Sequence, residues 1–365
     1  MKYFEVDSKI KITDFDSKYI DLDKSVFFDI ETTGFSPKTA HLYLIGCVYK
    51  PADKDTLYLR QWFLEDVNYE KELIIEFMEF IKDYKYLITF NGNGFDIPFL
   101  QNKIAGYKLL YDINCFESID IFKEAYKVRK LLKLQNLKQK SIEEFFGIYR
   151  EDKFSGGDLI SVYSAYLENH DERLKKVLLL HNLEDIKAMP LLLNIFTYTD
   201  IFKEKFDVNS CEIMTTEGKN YKKEFIIQGK LHSKINSRVS FGFGEYYFTA
   251  YGDTFKFKVD IYTGGLKYFY KEYKDYFYLP NEDRAVHKSV AFFVDKNFRT
   301  KAKAANCYSK KTGNFIPQPS EIMEPYFKIE YNDKTTYVEL TKEFAENMES
   351  VKKYVSSCLL YLLSR

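Results

Sequence analysis

A short apolar segment that carries two acids constrains this chain more than any other feature. Residues 25–30 read Ser-Val-Phe-Phe-Asp-Ile, and Glu-Thr-Thr-Gly follows at 31–34. An apolar run of this length that stops at a turn is typical of a buried strand. Asp29 and Glu31 are two residues apart, so both carboxylates project from one face of that strand.

Two neighbouring carboxylates on a buried strand are costly unless a cation neutralises them. Carboxylate oxygens suit hard cations, so Asp29 and Glu31 predict a Mg²⁺ or Mn²⁺ site. The alternative is a solvated strand end, and the apolar neighbours Val26, Phe27 and Phe28 argue against it.

This strand is part of an alternation of strand and helix patterns in residues 1–205. Strands are expected at 25–30, 41–49, 56–63, 86–90 and 118–122. Helices are expected at 69–82, from 95, and over 123–196 with breaks near Gly147, at 155–157 and near His170. This order of elements predicts an α/β fold with a mixed sheet flanked by helices.

From about residue 206 the chain changes character. Between Phe241 and Leu279, 16 of 39 residues are Phe or Tyr, interleaved with lysines. Such alternation favours the core of an antiparallel sheet, although aromatic rings beside lysines can also stack unpaired bases. Hairpin turns are expected at 264–265 and 332–333, and a last helix at 342–363. We therefore predict a smaller β-rich α+β domain at 206–365, of unknown role.

Length and charge agree with two domains of different character. The 365 residues correspond to roughly two domains of about 150 residues. The total charge is balanced, but residues 206–365 hold 25 basic and 20 acidic residues, against 29 and 34 in residues 1–205. A mildly acidic half beside a mildly basic half fits a carboxylate-rich site next to a region that tolerates phosphates.

Several classes of protein are excluded or disfavoured by missing patterns. The sequence has no G-x-G-x-x-G, Walker lysine loop, H-E-x-x-H or G-x-S-x-G motif. Its five cysteines are widely spaced and form no C-x-x-C pair, as expected of reduced thiols. No apolar run is long enough to span a membrane, and residues 1–23 lack a signal-peptide core. We expect a cytoplasmic protein without membrane partners.

Two further segments carry candidate chemistry. In Ile88-Thr-Phe-Asn-Gly-Asn-Gly-Phe-Asp-Ile-Pro-Phe-Leu100, glycines end a strand and Asp96 opens a helix. An acid in the first turn of a helix is also common without any site. Farther along the chain, His181 and Asp185 are four residues apart and share one helix face. A histidine in that setting is more often structural than catalytic.

Together and in this order, the three segments resemble motifs I, II and III of the DEDD superfamily of 3′–5′ exonucleases, which have a ribonuclease H-like fold. D-I-E-T-T-G and N-x-x-x-F-D-x-P-F-L look closest to the proofreading domains of family B DNA polymerases and to the YprB-type predicted exonucleases of bacteria. The resemblance covers about residues 24–200. It implies that Asp29, Glu31, Asp96 and Asp185 hold two Mg²⁺ or Mn²⁺ ions for hydrolysis of the terminal phosphodiester.

One residue departs from the family pattern. These exonucleases have either Tyr four residues before the last Asp or His five residues before it, whereas here His181 takes the tyrosine spacing and Leu180 the histidine spacing. An imidazole can act as a base at neutral pH, so the resemblance assigns His181 to position or activate the water. It also implies that Thr32, Thr33 and Asn91 contact the substrate strand.

The sequence therefore predicts a two-metal-ion 3′–5′ exonuclease acting on single-stranded DNA or RNA. The alternative is a catalytically weak nucleic-acid-binding or scaffold protein on an exonuclease-like fold. Four acids retained at motif positions favour the enzyme. No sequence feature indicates recognition of a 2′-hydroxyl, so the expected partner is the 3′ end of either DNA or RNA.

Overall fold

The computed structural model describes residues 3–10, 17–152, 154, 156–216 and 222–365. The chain divides into two compact units, Met1–Thr199 and Asp200–Arg365. The predicted domain boundary at 205/206 lies a few residues beyond this division and stays a prediction. Among the described residues, no helix has the length and apolarity needed to cross a bilayer.

The first unit is built on a mixed six-stranded sheet with the order β1-β4-β3-β2-β5-β6. Strands β1 to β4 pair antiparallel, whereas β2, β5 and β6 run parallel. The predicted α/β fold is confirmed, and β1 is an additional edge strand that the sequence analysis missed. The strands are β1 (Tyr3–Ile10), β2 (Ser25–Thr32), β3 (Leu42–Tyr49), β4 (Leu57–Leu64), β5 (Tyr86–Thr89) and β6 (Glu117–Asp120).

The described part of this unit contains seven α-helices, and an eighth continues from it into the first residues of the second unit. Between β6 and the second unit, the described residues form consecutive helices separated by short non-helical stretches, as predicted. The helices are α1 (Glu70–Ile81), α2 (Asp96–Gly106), α3 (Ile121–Lys127), α4 (Arg129–Leu132), α5 (Gln139–Phe145), α6 (Gly156–Asn169), α7 (Glu172–Leu192) and α8 (Ile195–Ile201).

The core of the first unit explains why its strands read as continuous apolar runs. All eight residues of β3 are buried, because helices cover the sheet. Helix α1 contributes Leu73, Phe77 and Ile81, which lie on one helix face and pack into the same cluster. The Tyr43 ring of β3 stacks on Tyr163 of α6, with centroids 4.0 Å apart. Helices α1 and α6 thus both pack against the sheet that carries the acids of β2.

The second unit is β-rich, as predicted, and contains three sheets. Their strand orders are β7-β8-β9, β10-β14-β16-β15 and β12-β11-β13. The elements are β7 (Phe206–Thr216), β8 (Lys222–Phe243), β9 (Tyr246–Asp260), β10 (Tyr262–Phe269), β11 (Tyr276–Leu279), β12 (Arg284–His287), α9 (Lys288–Ala291), β13 (Thr300–Lys301), β14 (Tyr308–Gln318), β15 (Tyr326–Phe327), β16 (Thr336–Glu339), α10 (Lys342–Glu346) and α11 (Met348–Ser364).

The aromatic run of this unit builds sheet interior, which confirms the favoured interpretation for part of its members. Phe248, Phe255 and Phe257 of β9 are buried, whereas Tyr247 and Tyr251 of the same strand are exposed. The buried positions of β9 are even-numbered before Gly252 and odd-numbered after it, so alternation on each side of this irregularity places one set of rings inside and leaves the other in solvent.

The four-stranded sheet of this unit closes on itself. Just after β15, Lys328 exchanges two backbone hydrogen bonds of 2.9 Å with Lys267 of β10. The interior of this small closed sheet holds Leu266, Phe315 and Phe327.

One expected turn is wrong and the other is confirmed. Gly264 and Gly265 lie inside β10, where Gly264 pairs with Gly313 of β14. The two glycines therefore belong to a paired strand and not to a chain reversal. Residues 331–332 do form a turn, and the Asp333 carboxylate accepts a hydrogen bond of 2.7 Å from the Glu330 N–H within it.

Candidate active site

The two acids of β2 lie where the sheet changes from antiparallel to parallel pairing. Asp29 is opposite Gly46 of β3, and Glu31 is opposite Leu44. On its other side β2 pairs in parallel with β5, which ends at Thr89. The carboxyl ends of both strands thus open on one edge, which is where ligands bind in open α/β sheets.

Asp96 is the first residue of α2 and is held against β2. Its Oδ1 accepts a hydrogen bond of 3.1 Å from the N–H of Ile30, the residue between the two acids. The turn before α2 needs an unusual backbone: Asn91 has a φ of 63°. A Cβ at Gly92 would lie 2.4 Å from the Thr89 Oγ1. The glycine therefore allows the turn that delivers Asp96 to the strand.

Helix α7 brings His181 and Asp185 to the same edge. The His181 Nε2 lies 3.2 Å from the Asp185 Oδ2 and 3.6 Å from the Glu31 Oε1. One ligand atom from each of these three residues lies within 4.8 Å of the others. All five predicted catalytic side chains are thus grouped at the carboxyl end of β2.

A chain of amide contacts docks α7 onto the sheet. The Asn182 Nδ2 donates a hydrogen bond of 3.0 Å to the Asp29 Oδ2. The Gln61 Nε2 of β4 donates to the Asn182 Oδ1 and to the Leu179 carbonyl, each at 2.9 Å. A Cβ at Gly46 would lie 1.9 Å from the Asn182 Oδ1. The helix can approach Asp29 only because β3 carries a glycine there.

We expect Gly46→Ala to displace Asn182 and to lower the free energy of unfolding by about 1–3 kcal/mol, the usual cost of overpacking. Urea unfolding measures the change. Gly106→Ala is the matched control, because a Cβ there meets nothing within 4 Å, so its effect should be neutral or slightly stabilising. Equal stabilities of the two variants would contradict the close approach at Gly46.

The acids of this cluster are too buried and too close together to ionise freely. Burial, and then the charges of Asp96 and Asp185, raise the pKa of Asp29 well above its ordinary value. Burial and the charge of Asp185 raise the pKa of Glu31 in the same way. Burial raises the pKa of Asp96 to about 7, against the opposing hydrogen bond from the Ile30 N–H. A bound cation would relieve this repulsion.

The raised pKa values predict that the metal-free protein loses stability as the pH rises. Below about pH 4 the acids are protonated in both the folded and the unfolded state, so the repulsion is absent. Between about pH 4 and the folded pKa of about 7 for Asp96, the unfolded state releases its proton first. Stability then falls by up to about 1.4 kcal/mol per pH unit for one such carboxyl.

Urea unfolding in EDTA between pH 4 and 8 measures this loss for the parent protein and for Asp96→Asn. We expect the decline to be shallower in the variant, which removes one of the titrating acids. Parallel declines would contradict the raised pKa of Asp96.

Comparison with known proteins supports the fold of this region. Residues 26–197 match the family model of the RNase_H superfamily. This region has a ribonuclease H-like fold. No curated protein matches the chain.

Solved structures similar to the chain include two DNA-processing enzymes. The family B DNA polymerase of the hyperthermophilic archaeon Pyrobaculum calidifontis is 16% identical with a TM-score of 0.38, over 48% of this chain and 24% of the polymerase chain. E. coli Exonuclease I in complex with a dT13 oligonucleotide is 11% identical with a TM-score of 0.29, over 56% of this chain and 54% of the exonuclease chain. The chain thus spans about a quarter of the polymerase and about half of the exonuclease.

In the ribonuclease H-like domain, an arginine fixes the last acid of the cluster. The Arg150 Nη2 lies 2.7 Å from the Asp185 Oδ1. The same guanidinium donates to the buried Glu143 carboxylate, which also accepts a hydrogen bond of 2.9 Å from the Gln139 Nε2. Asp185 is therefore held from one side by Arg150 and faces His181 on the other.

A buried carboxylate holds the histidine of the ribonuclease H-like domain. The Asp152 Oδ2 lies 2.7 Å from the His181 Nδ1, and these side chains are only 2% and 7% exposed. Burial alone would raise the pKa of Asp152, but hydrogen bonds from the Phe154 N–H, from Lys140 and from His181 outweigh it and lower that pKa. An ionised Asp152 keeps a proton on Nδ1, which leaves Nε2 facing the acids.

The three predicted substrate contacts lie around the cluster, not inside it. The Thr32 hydroxyl donates to the Gly34 carbonyl at 2.8 Å, and the Thr33 hydroxyl accepts from the His41 N–H at 2.8 Å. Both side chains therefore stabilise the turn after β2. Asn91 is exposed in the turn before α2. Contacts of these three residues with a nucleic acid stay predictions.

An exposed aromatic residue next to this turn was not singled out by the sequence analysis. The Phe35 side chain is 89% exposed. Its ring lies edge-on to Phe95, with centroids 6.1 Å apart, and Phe95 directly precedes Asp96. A large solvent-exposed ring therefore flanks both motifs of the cluster.

Proposed function

We propose that the ribonuclease H-like domain is a metal-dependent nuclease that shortens single-stranded DNA or RNA from the 3′ end. The observation that carries this proposal is the convergence of acids from three distant segments on one sheet edge: Asp29 and Glu31 of β2, Asp96 of α2 and Asp185 of α7. Burial and mutual repulsion make this arrangement costly without a cation.

The donor set fits hard divalent cations. The four carboxylates supply oxygen ligands of the kind that Mg²⁺ and Mn²⁺ prefer, and we assign Asp29, Glu31, Asp96 and Asp185 as the metal ligands. When bound, two such ions would activate a water and neutralise the charge that develops on the phosphate and on the leaving oxygen.

In the reaction that we propose, His181 accepts a proton from the attacking water at Nε2. Asp152 holds the proton on Nδ1 and so keeps the ring in the tautomer that can act as a base. The water oxygen forms a bond to phosphorus, the bond to the 3′-oxygen of the preceding nucleotide breaks, and that oxygen takes a proton from solvent to become the new 3′-hydroxyl. The terminal nucleotide leaves as a nucleoside 5′-monophosphate.

The strand end would meet the turns on either side of the carboxylates. Thr32 and Thr33 precede Phe35 in the turn after β2, and Asn91 lies in the turn before α2. Phe35 offers an exposed face on which the terminal base can stack. The proposed substrate contacts are therefore Thr32, Thr33, Asn91 and Phe35.

We expect Phe35→Ala to raise the KM for a single-stranded oligonucleotide about tenfold, since loss of base stacking costs about 1–3 kcal/mol. Stability should not change, because Phe35 is exposed. Steady-state kinetics at several strand concentrations measures KM. Leu110→Ala, which removes another fully exposed side chain of the same unit, should leave KM unchanged. An unaltered KM for Phe35→Ala would exclude the stacking role.

Direction of cleavage distinguishes an exonuclease from an endonuclease. We expect a 5′-labelled strand with a free 3′-hydroxyl to shorten stepwise, and the same strand with a blocked 3′ end to stay intact. Internal cleavage of the blocked strand would contradict the exonuclease assignment. Binding of both strands without cleavage would support the alternative of a nucleic-acid-binding protein.

The proposal includes a reducing, cytoplasmic setting. It is supported by the five free cysteines of the described chain, of which Cys47, Cys307 and Cys358 are buried.

A further inference from the structure

The second unit contains an open pocket beside its small closed sheet. The pocket encloses about 360 Å³, which lies within the size range of small-ligand sites, about 300–1,000 Å³. Its wall is formed by the end of β10, the loop that follows it, and the chain from β15 to the next turn. Five aromatic residues line it: Phe269, Tyr270, Tyr273, Tyr326 and Tyr331.

Two of these rings are presented to solvent. Tyr273 is 36% exposed and Tyr331 is 40% exposed. The Tyr331 ring is fixed edge-on against Phe269, with centroids 5.2 Å apart. An exposed ring held in one orientation can stack on a planar ligand at little cost in side-chain entropy.

Ala304 and two lysines complete the lining, and the lysines alternate with the aromatic residues along the chain. Lys271 lies between Phe269 and Tyr273, and Lys328 follows Tyr326 by two residues. The Lys328 backbone is fixed by its two hydrogen bonds to β10. Its side chain forms no ion pair with any carboxylate of the described residues, while Lys271 makes an exposed pair with Glu324 at 3.3 Å. Exposed pairs of that kind are weak, so both ammonium groups can meet an anion.

We propose that this pocket binds an unpaired base of a single-stranded nucleic acid. The base stacks on Tyr273 or Tyr331, and the adjacent phosphates are met by Lys271 and Lys328. Aromatic platforms that alternate with cations are the chemistry of strand binding without sequence preference. Residues 206–365 carry 25 basic and 20 acidic residues, and this positive surplus also favours binding of an anionic strand.

This inference assigns to the second unit a role that the proposed nuclease reaction does not require. A proline-rich peptide also docks on tyrosine-lined grooves, but it carries no phosphate for the two lysines. The charge of the lining therefore favours a nucleic acid strand.

The test is fluorescence anisotropy of a 5′-labelled oligothymidylate of about 16 nucleotides, a length that covers one such binding site. The full chain is used, with EDTA throughout, so that no strand is cut whether or not the first unit is a nuclease. We expect Tyr273→Ala and Tyr331→Ala each to raise Kd about tenfold. Tyr331→Phe keeps the ring and should stay within about twofold of the parent.

Two further variants separate stacking from charge and from general surface effects. Tyr247→Ala removes an exposed tyrosine of β9 outside the pocket and should leave Kd unchanged. Lys328→Ala should weaken binding for all sequences and lower the slope of log Kd against log salt concentration by about one. Equal thermal unfolding midpoints of the variants exclude loss of fold as the cause.

Several results would overturn the inference. These are an unchanged Kd in both alanine variants, an equal loss in Tyr247→Ala, or saturable binding of a proline-rich peptide in place of the oligonucleotide. A separate cleavage assay in Mg²⁺ distinguishes this failure from failure of the proposed function. If the strand binds in a tyrosine-dependent way but is not cleaved in Mg²⁺, the inference about the pocket stands and the proposed nuclease function fails.

Discussion

We expect the Asp29→Asn protein to lose metal-dependent cleavage by at least about a thousandfold while it keeps its fold. Bound metal supplies several kcal/mol of transition-state charge stabilisation, and each 1.36 kcal/mol corresponds to a factor of ten in rate. Asparagine has the size of aspartate, and its side-chain oxygen can still accept the hydrogen bond from the Asn182 Nδ2. Single-turnover cleavage rates in saturating Mg²⁺ measure the effect.

Asp112→Asn is the matched control for this substitution. Asp112 is an exposed acid of the same unit whose side chain caps a short 3₁₀ turn, and asparagine caps equally well. Its cleavage rate should equal that of the parent. In EDTA, Asp29→Asn should be at least as stable as the parent, because it removes one buried negative charge. A rate within tenfold of the parent would contradict the role of Asp29.

The second large effect concerns the pair formed by Asp152 and His181. His181→Ala should lower kcat by about 10²–10⁴, the usual contribution of a general base. Asp152→Asn should lower kcat by at least about tenfold, because the amide no longer enforces the proton on Nδ1. Neither substitution should change KM strongly, since the two side chains are proposed to act on the water and not on the strand.

The double variant tests whether Asp152 acts through His181. If it does, Asp152→Asn adds no further loss once His181 is alanine, so the two effects are strongly non-additive. A purely structural role of Asp152 would give two losses that multiply. Multiplying losses in a correctly folded double variant would therefore contradict the positioning role.

Much of this site could be predicted from the sequence, because its acids lie in short sequence patterns that indicate a strand or a helix. Asp29 and Glu31 share a face through strand alternation, and His181 and Asp185 share a face through helix periodicity. Asp96 could be placed only at a helix start. The strand–helix order predicts the mixed sheet, and the parallel pairing of β2 with β5 then brings these ends to one edge.

The residues that hold the site were missed because no spacing connects them to it. Asp152 and Arg150 lie in the connection after α5, and only the packing of α7 brings them to His181 and Asp185. Asn182 lies inside the third motif, but its contact to Asp29 depends on Gln61 and on the space at Gly46. Such contacts depend on side-chain packing between elements, which local periodicity does not specify.

The error at residues 264–265 has a related cause. Two glycines between β-rich segments are typical of a hairpin turn. Here Gly264 is opposite Gly313 on the neighbouring strand β14, so the two glycines continue a strand. Sequence alone does not reveal which strand will lie opposite.

The central claim is that the acids grouped around β2 form a metal-dependent 3′–5′ nuclease site. Its most direct test is degradation of 5′-labelled single-stranded DNA and RNA by the parent and by Asp29→Asn, in Mg²⁺, in Mn²⁺ and in EDTA. We expect a ladder that shortens from the 3′ end with the parent and metal only, and the sugar that is cut identifies the substrate. Intact strands with the parent in both metals, or an equal ladder with Asp29→Asn, would contradict the claim.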